Sequence, residues 1–545
     1  MPQLKTPEFV VLCVLDGWGI ASPGPGNAIT LANTPNFKKF NASYPNTKLE
    51  AAGEAVGLPK GENGNTETGH INLGAGRIVY QDLERINLSI ADGSYFKNKY
   101  FLSAIEHANK YGSNMHIIGL IGSAGVHSYI NHLYALIHLI SINNFKRLYL
   151  HIFTDGRDSP PTSSKIYINN IKNILINEKV GTIASIMGRY WAMDRDQRWD
   201  RTEKAYFALT KGVGKIFDCT DDAIEDSYSQ GKTDEFIEPS LIKINKTNDL
   251  GLIKDNDAVI FLNFRIDRPR QLTKAFIMNN FEDANVMIDE KYNASKSSNI
   301  KVFDRGVKLN NLFFVTMTDY GKVITDSGAK VAFPPQSVEN TLSSIISNNN
   351  FRQLKITESE KERFVTFYFN GLREKPFSLE DRIIIPSPKV PTYDQKPEMS
   401  AYEITNTLLK KLEFDGYKFI LVNYPNPDIV GHTGNIGPVV KAVEVVDECI
   451  GKIANFSLAY EGALIITSDH GNAEELINLS SSEIDTEHSK NMVPFICVYR
   501  PLLGKFHTLR SGILADIAPT ILSLMNIPVP SNMTGSNLLK DIILF

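Results

Sequence analysis

Asp428 and His432 stand four residues apart in PNPDIVGHTG, Asp469 and His470 are adjacent in SDHGN, and Asp16 and His488 complete three carboxylates and three imidazoles. Carboxylate oxygen with imidazole nitrogen is a ligand set that suits Mn²⁺ or Zn²⁺. One Asp-x3-His alone reads better as a capped turn with a satisfied histidine. Six such residues, if the fold brings them together, read better as metal sites. Two cations about 3.5 to 4 Å apart clamp the attacking and leaving oxygens of a phosphoryl displacement and ionise a nearby hydroxyl into a nucleophile. Thr66, beside Glu67 in GNTETGHINLGAGR (Gly64 to Arg77), is the hydroxyl on offer. That stretch reads as a glycine-rich polar loop, which either brings backbone amides to an anion or merely connects two elements.

A second inventory is rich in arginine: TDGRDSPP with Arg157 and Asp158, GRYWAMDRDQRWDR with Arg189, Arg195, Arg198 and Arg201, and NFRIDRPRQ with Arg265, Arg268 and Arg270. Arginine forks grip phosphate or carboxylate bidentately. Because Asp194, Asp196 and Asp200 alternate with arginines, Arg198, Arg201 and Arg270 are assigned to a salt-bridged helix face. The arginines in loops after strands are assigned to ligand binding. Asp158 is placed to act as acid or base for a substrate hydroxyl.

These residues need elements that bring them together. FVVLCVL before Asp16, KFILVNY before Pro425 and ALIITS before Asp469 are continuous aliphatic runs of strand length. Such runs suit strands buried on both faces of a parallel sheet. Ligands of open α/β sheets bind beyond the carboxyl ends of the strands, so DGWG, NPDIVGH and SDHGNAEE should meet at one edge. Helical periodicity in Asn340 to Ile346, Ala401 to Leu412, Val439 to Ile453 and Ile513 to Met525 supplies the crossovers. The expectation is a doubly wound α/β domain. MHIIGLIG, RLYLHIFTD, IASIM and AVIFLNF repeat the pattern mid-chain, which implies a second α/β domain inserted into the first. Crossings are placed near Gln81 and near Pro334-Pro335, giving 1–80 with 335–545 as one domain and 81–334 as the insert. Glu282 to Gly306 reads as a polar surface loop without chemistry.

At 545 residues, 42% hydrophobic and 22% charged, the chain has the composition of a soluble globular protein of two domains. A net charge of -4 gives no electrostatic footprint for nucleic acid, which leaves a small-molecule substrate. The first apolar run, Phe9 to Leu15, ends in Asp16 and does not read as a signal peptide. The strongest apolar run, Leu133 to Ile142, is half the roughly 20 residues of a membrane span. Cys13, Cys219, Cys449 and Cys497 lie far apart without CxxC spacing, consistent with a reducing cytoplasm. The chain is expected to be a cytoplasmic monomer.

In order along the chain, DGWG, GNTETGHINLGAGR with IVYQDLERI, GVHS, TDGRDSPP, GRYWAMDRDQRWDR, NFRIDRPRQL, ESEKERFVTFYFNG, IPSPKVPTYD, PEMSAYEIT, NPDIVGHTGN, AVEVVDEC, SDHGNAEE and LADIAPTIL closely resemble the cofactor-independent (2,3-bisphosphoglycerate-independent) phosphoglycerate mutases. The resemblance runs from about Phe9 to Leu539. It implies an alkaline-phosphatase-like domain with two divalent metals, usually Mn²⁺ with Mg²⁺, Co²⁺ or Zn²⁺ as alternatives, and no 2,3-bisphosphoglycerate. It implies also an inserted phosphotransferase domain that closes over the substrate. One metal would be held by Asp428, His432 and His488, the other by Asp16, Asp469, His470 and the oxygen of Thr66. Substrate would be gripped by His127, Arg157, Asp158, Arg189, Arg195, Arg265 and Arg268, with Lys361 spanning the two domains. The hydroxyl at position 66 would take the phosphoryl group of 3-phosphoglycerate and return it to the 2-hydroxyl, with Asp158 handling protons.

Two departures stand out: the family has serine where this chain has Thr66, and usually aspartate-glycine where it has Ser123-Ala124 before GVHS. The extra methyl fixes χ1 and must find space beside the metals. Two rivals remain: a two-metal phosphomonoesterase on the same fold, and a weakly active binding or regulatory homologue.

Overall fold

The computed structural model describes residues 5–244, 247–284, 301–478, 481–505 and 509–542. It divides into two compact units, Met1–Gln81 with Ser337–Phe545, and Asp82–Gln336. In chain order, the first unit opens with β1 (Val10–Leu15) and β2 (Asn46–Glu50). The inserted unit holds β3 (Met115–Leu120), β4 (Leu148–Thr154), β5 (Thr182–Gly188), β6 (Lys215–Phe217), β7 (Ser240–Ile242), β8 (Ala258–Phe261), β9 (Phe313–Thr318) and β10 (Lys330–Phe333). The first unit then resumes with β11 (Gln353–Glu358), β12 (Glu380–Ile385), β13 (Phe419–Tyr424), β14 (Ala463–Thr467), β15 (Val493–Val498) and β16 (Gly512–Ile513).

The first unit's sheet runs β12-β11-β13-β1-β14-β15-β2-β16. Every residue of β1 is buried, which is why VVLCVL carries no polar alternation: neighbours cover both of its faces. β1 pairs in parallel with β13, Leu15 beside Tyr424, and with β14, Val14 beside Thr467. Asp16, the short helix Asn426–Gly431 that carries Asp428, and Asp469 therefore leave one sheet edge together. β11 runs parallel on the far side of β13 and delivers Lys361 to the same edge. β15 pairs antiparallel with β14 and with β2, so the sheet is mixed rather than uniformly parallel.

The inserted unit's sheet runs β10-β9-β8-β3-β4-β5-β7-β6, with β7 antiparallel to β5. Its four central strands, β8, β3, β4 and β5, are parallel, and their carboxyl ends lead to NFRIDR, GVHS, TDGRD and GRYW respectively.

Three sequence expectations are revised. GNTETGHINLGAGR is not a loop: Thr66–Ala75 is a helix, capped by the Asn65 side chain, which accepts from Thr68 N, and ended by Gly76 at φ 63. A Cβ on Gly69 would lie 2.5 Å from Asp469 O, and one on Gly74 2.0 Å from Phe369 O, so these glycines let the helix pack against neighbouring backbone. The run Ile513 to Met525 is divided: Ile513 belongs to β16, and the helix spans only Ile517–Leu524. Within Glu282 to Gly306, 285–300 lie outside the described residues. Arg305 is buried, its guanidinium donating to the carbonyls of Ala275 and Met278, so that end of the segment is tucked into the unit. No helix among the described residues is long and apolar enough to cross a membrane.

Candidate active site

Thr66 opens its helix at the carboxyl edge of the first unit's sheet. Its Oγ1 lies 2.9 Å from His470 Nε2 and accepts from Lys361 Nζ at 2.9 Å. The same ammonium donates to Asp16 Oδ1 at 2.9 Å and Asp428 Oδ2 at 2.8 Å. Asp16, Asp428, Asp469, His470 and Lys361 are all buried. Burial opposes the charge on Lys361, but Asp16, Asp428 and Asp469 outweigh it and raise its pKa. Burial likewise opposes charge on His470, and Asp469, Asp428 and Asp16 lift it to about 9.

A field that calls for positive charge so strongly is what a cation site looks like from its ligands. His432 Nδ1 donates to Thr486 O at 2.8 Å and His488 Nδ1 to Gly64 O at 3.0 Å, so each ring turns its Nε2 lone pair inward. Those nitrogens lie 3.2 Å apart, and 3.3 and 3.2 Å from Asp428 Oδ1. Two lone pairs and a carboxylate repel one another at these distances, and the donor chemistry fits a divalent cation. Asp428, His432 and His488 form one potential ligand group; Asp16 joins Asp428 and His470 in a second, and His70 and Asp469 in a third. Lys361 supplies positive charge among these carboxylates, as a bound cation would.

Several members of this cluster carry no obvious sequence signal. His70 Nδ1 sits 3.0 Å from Thr66 O and 3.2 Å from Asp469 Oδ2. Asn423 Nδ2 donates to Asp16 Oδ2 at 2.9 Å, and Asn472 Nδ2 to Asp428 Oδ1 at 2.9 Å. Asn423 could have been noticed as the one amide inside the apolar run of β13.

The arginine inventory gathers at the carboxyl edge of the inserted unit's sheet. Buried Arg189 donates through Nη1 to Asp155 Oδ1 at 2.6 Å and Asp158 Oδ2 at 2.5 Å. Asp155, which sequence reasoning passed over, also accepts from Asp158 N and Ser159 Oγ and so shapes the turn that carries Arg157 and Asp158. Burial works against the Asp158 carboxylate, but Arg189 prevails and lowers its pKa. Arg195 donates to Asp267 Oδ2 at 2.6 Å, Arg265 Nε lies 3.3 Å from Asp267 Oδ1, and Arg268 donates to Met193 O at 3.1 Å. Arg157 is 57% exposed, 3.8 Å from Glu235. His127 is buried between Asp158 and Asp267; burial, then Arg189, pushes its pKa down to about 4, so the imidazole is neutral.

The ion pairs expected of a helix face form, but mostly outside a helix: Arg198 pairs with Asp194 and Asp196 in the stretch that precedes the helix Trp199–Lys211, and Arg201, in that helix's first turn, lies 3.6 Å from Asp194 and over the Tyr190 ring. In the unusual Ser123-Ala124 pair, Ser123 Oγ is 2.8 Å from Tyr167 OH. His127 is tied down independently, its carbonyl accepting from Phe264 N and Arg265 N.

The family model "BPG-independent PGAM N-terminus" matches residues 86–322. The 2,3-bisphosphoglycerate-independent phosphoglycerate mutase of Moorella thermoacetica is 45% identical over 97% of this chain and 98% of its own length. That of Clostridium novyi is 46% identical over 97% and 99%. A crystal structure of Leishmania mexicana phosphoglycerate mutase at low cobalt concentration aligns over 98% of both chains, with TM-score 0.58 and 27% identity.

Proposed function

The chain belongs to the 2,3-bisphosphoglycerate-independent phosphoglycerate mutases, a family of isomerases, and from that premise we propose that it interconverts 3-phosphoglycerate and 2-phosphoglycerate through a phosphoryl group carried on Thr66. The observation behind this reading is the environment of Thr66 Oγ1, 2.9 Å from both an ammonium and an imidazole. Positive neighbours favour the deprotonated hydroxyl, and the amino end of the helix Thr66–Ala75 favours the negative charge of a phosphoryl group bonded there. A secondary alcohol serves as nucleophile as a primary one does, with its χ1 narrowed by the methyl.

Asp428, His432 and His488 would hold one divalent cation, and Asp16, Asp469, His470 and Thr66 the other. Mn²⁺ is the first choice, with Mg²⁺, Co²⁺ and Zn²⁺ as alternatives. Bound there, the cations would supply Lewis-acid stabilisation of phosphoryl oxygens and further lower the pKa of the hydroxyl.

In the first half-reaction, Thr66 Oγ1 bonds to phosphorus as the bond between phosphorus and O3 breaks, and O3 takes up the proton that Asp158 draws from the 2-hydroxyl. In the second, the 2-oxygen, its proton already passed to O3, bonds to phosphorus, and Thr66 leaves. Asp158, kept ionised by Arg189, carries the proton between the two hydroxyls. Arg157, Arg189, Arg195, Arg265 and Arg268, with His127, hold the glycerate while it reorients.

The test is an enolase-coupled assay with added Mn²⁺ and no 2,3-bisphosphoglycerate, run beside an assay for free phosphate. Isomerisation with phosphate trapped on Thr66 supports the reading. Phosphate release without isomerisation would make the protein a phosphomonoesterase, and steady isomerisation with no phosphorylated residue would remove the covalent step.

A further inference from the structure

His127 has a carboxylate on each side: Asp267 Oδ1 lies 3.6 Å from Nδ1, and Asp158 Oδ2 lies 3.9 Å from Nε2. The two carboxylates are not equivalent. Asp158 Oδ2 is already hydrogen-bonded by Arg189 at 2.5 Å. Asp267 is held through its other oxygen, Oδ2, by Arg195 at 2.6 Å. That leaves Asp267 Oδ1 and His127 Nδ1 facing each other, both buried and neither with a hydrogen-bond partner, while Arg265 Nε contributes an ion-pair contact to Oδ1 at 3.3 Å.

The backbone keeps the pair in register. His127 O accepts from Phe264 N at 3.0 Å and Arg265 N at 3.3 Å, Leu120 N donates to Asn263 Oδ1 at 3.0 Å, and Thr318 Oγ1 donates to Phe264 O at 2.5 Å. Asp267 thus sits on a strand-end loop fastened to the turn that carries His127.

A neutral imidazole has one N–H and one lone pair, and a carboxylate only accepts. The nearer carboxylate oxygen without a hydrogen bond decides which nitrogen keeps the proton. We propose that Asp267 is a positioning residue that fixes His127 as the Nδ1–H tautomer, leaving Nε2 as a hydrogen-bond acceptor for a hydroxyl of the bound glycerate. The 3.9 Å between Nε2 and Asp158 Oδ2 admits a hydroxyl oxygen about 2.8 Å from each, where it can donate to either. Two acceptors converging on one point select a hydroxyl over a carbonyl or phosphoryl oxygen, which have no proton to give. The identity of the hydroxyl rests on the mutase reading; the tautomer does not.

The experiment is ring ¹⁵N NMR of the full-length, histidine-labelled protein without substrate near neutral pH, with the His127 signals assigned by their loss in His127→Asn. The expected result is a protonated Nδ1 and an unprotonated Nε2 at His127, moving toward protonated Nε2 in Asp267→Ala. In mutase assays, Asp267→Ala should lose about 10- to 100-fold in kcat, with KM within about threefold. A role confined to balancing the charge of Arg195 and Arg265 would instead raise KM and leave the tautomer alone. Protonated Nε2 in the wild-type protein overturns the proposal even if the variant fails to fold, as does an unchanged tautomer in a folded Asp267→Ala. An inactive enzyme with the expected spectrum overturns the mutase reading and upholds the placement of His127 by Asp267.

Discussion

Glu358 ends β11, three residues before Lys361. Its Oε1 accepts from Ser400 N at 2.7 Å, and its Oε2 is buried with no hydrogen-bond partner. Burial lifts its pKa from 4.5 to about 7, with the Ser400 N–H offsetting only part. Between those values the folded chain holds a proton that the unfolded chain has released, so stability falls as pH rises through the window and the full loss persists above it. A shift of 2.5 units at 1.36 kcal/mol per unit is about 3 kcal/mol. Glu358→Gln keeps the size and the acceptor for Ser400 N but cannot ionise. By urea unfolding with metal held constant, the variant should match wild type within about 1 kcal/mol near pH 5 and exceed it by about 3 kcal/mol near pH 8. A difference that is the same at both pH values, or a wild type more stable at the higher pH, would refute this account of the carboxyl.

Thr66→Ala should abolish isomerisation in the coupled assay while the fold persists, and Thr66→Ser should retain or raise the rate; an active alanine variant excludes Thr66 as nucleophile. Lys361→Met leaves the buried Asp16 and Asp428 without their ammonium, so in chelator it should lose about 3 to 5 kcal/mol of stability, partly restored by Mn²⁺. Equal melting of variant and wild type in chelator would count against that. His488→Ala removes one of the inward lone pairs beside Asp428 and should lower bound metal by about one equivalent together with nearly all turnover, as read by elemental analysis. Arg265→Lys should impair kcat/KM more than Arg201→Lys, which pairs with Asp194 on a helix face; equal effects would show that the pocket is misassigned.

The sequence made the strand framework legible because strands covered on both faces leave no room for polar alternation, and β1, β13 and β14 therefore stand out as apolar runs that end abruptly in Asp16, Pro425 and the Ser468-Asp469 pair. Residues whose role depends on neighbours distant in sequence were harder to find. His70 matters because its ring reaches Asp469, and Asn472 because its amide reaches Asp428; neither distance is encoded locally. Asp155 and Asp267 were overlooked for another reason. Aspartate next to arginine looks like a solvated charge pair, and only the fold reveals that one is buried and the other closes on Arg195 and His127.

The helix Thr66–Ala75 shows why local propensity misleads at such a site. Gly69 and Gly74 each weaken a helix by about 1 kcal/mol relative to alanine, and the two threonines add to the penalty, so the stretch looks like a loop. What stabilises it is tertiary: all of its residues except Glu67 are buried. The glycines that lower its propensity are what allow that burial, since a Cβ at Gly69 would meet Asp469 O and one at Gly74 would meet Phe369 O. Asp469 lies in the turn that carries His470, and Phe369 lies in the segment that follows Lys361. The two close approaches therefore press this helix against the backbones that present His470 and Lys361, and Thr66 Oγ1 lies within 2.9 Å of both side chains. Helical strength is given up for position, and the position puts the hydroxyl between an imidazole and an ammonium.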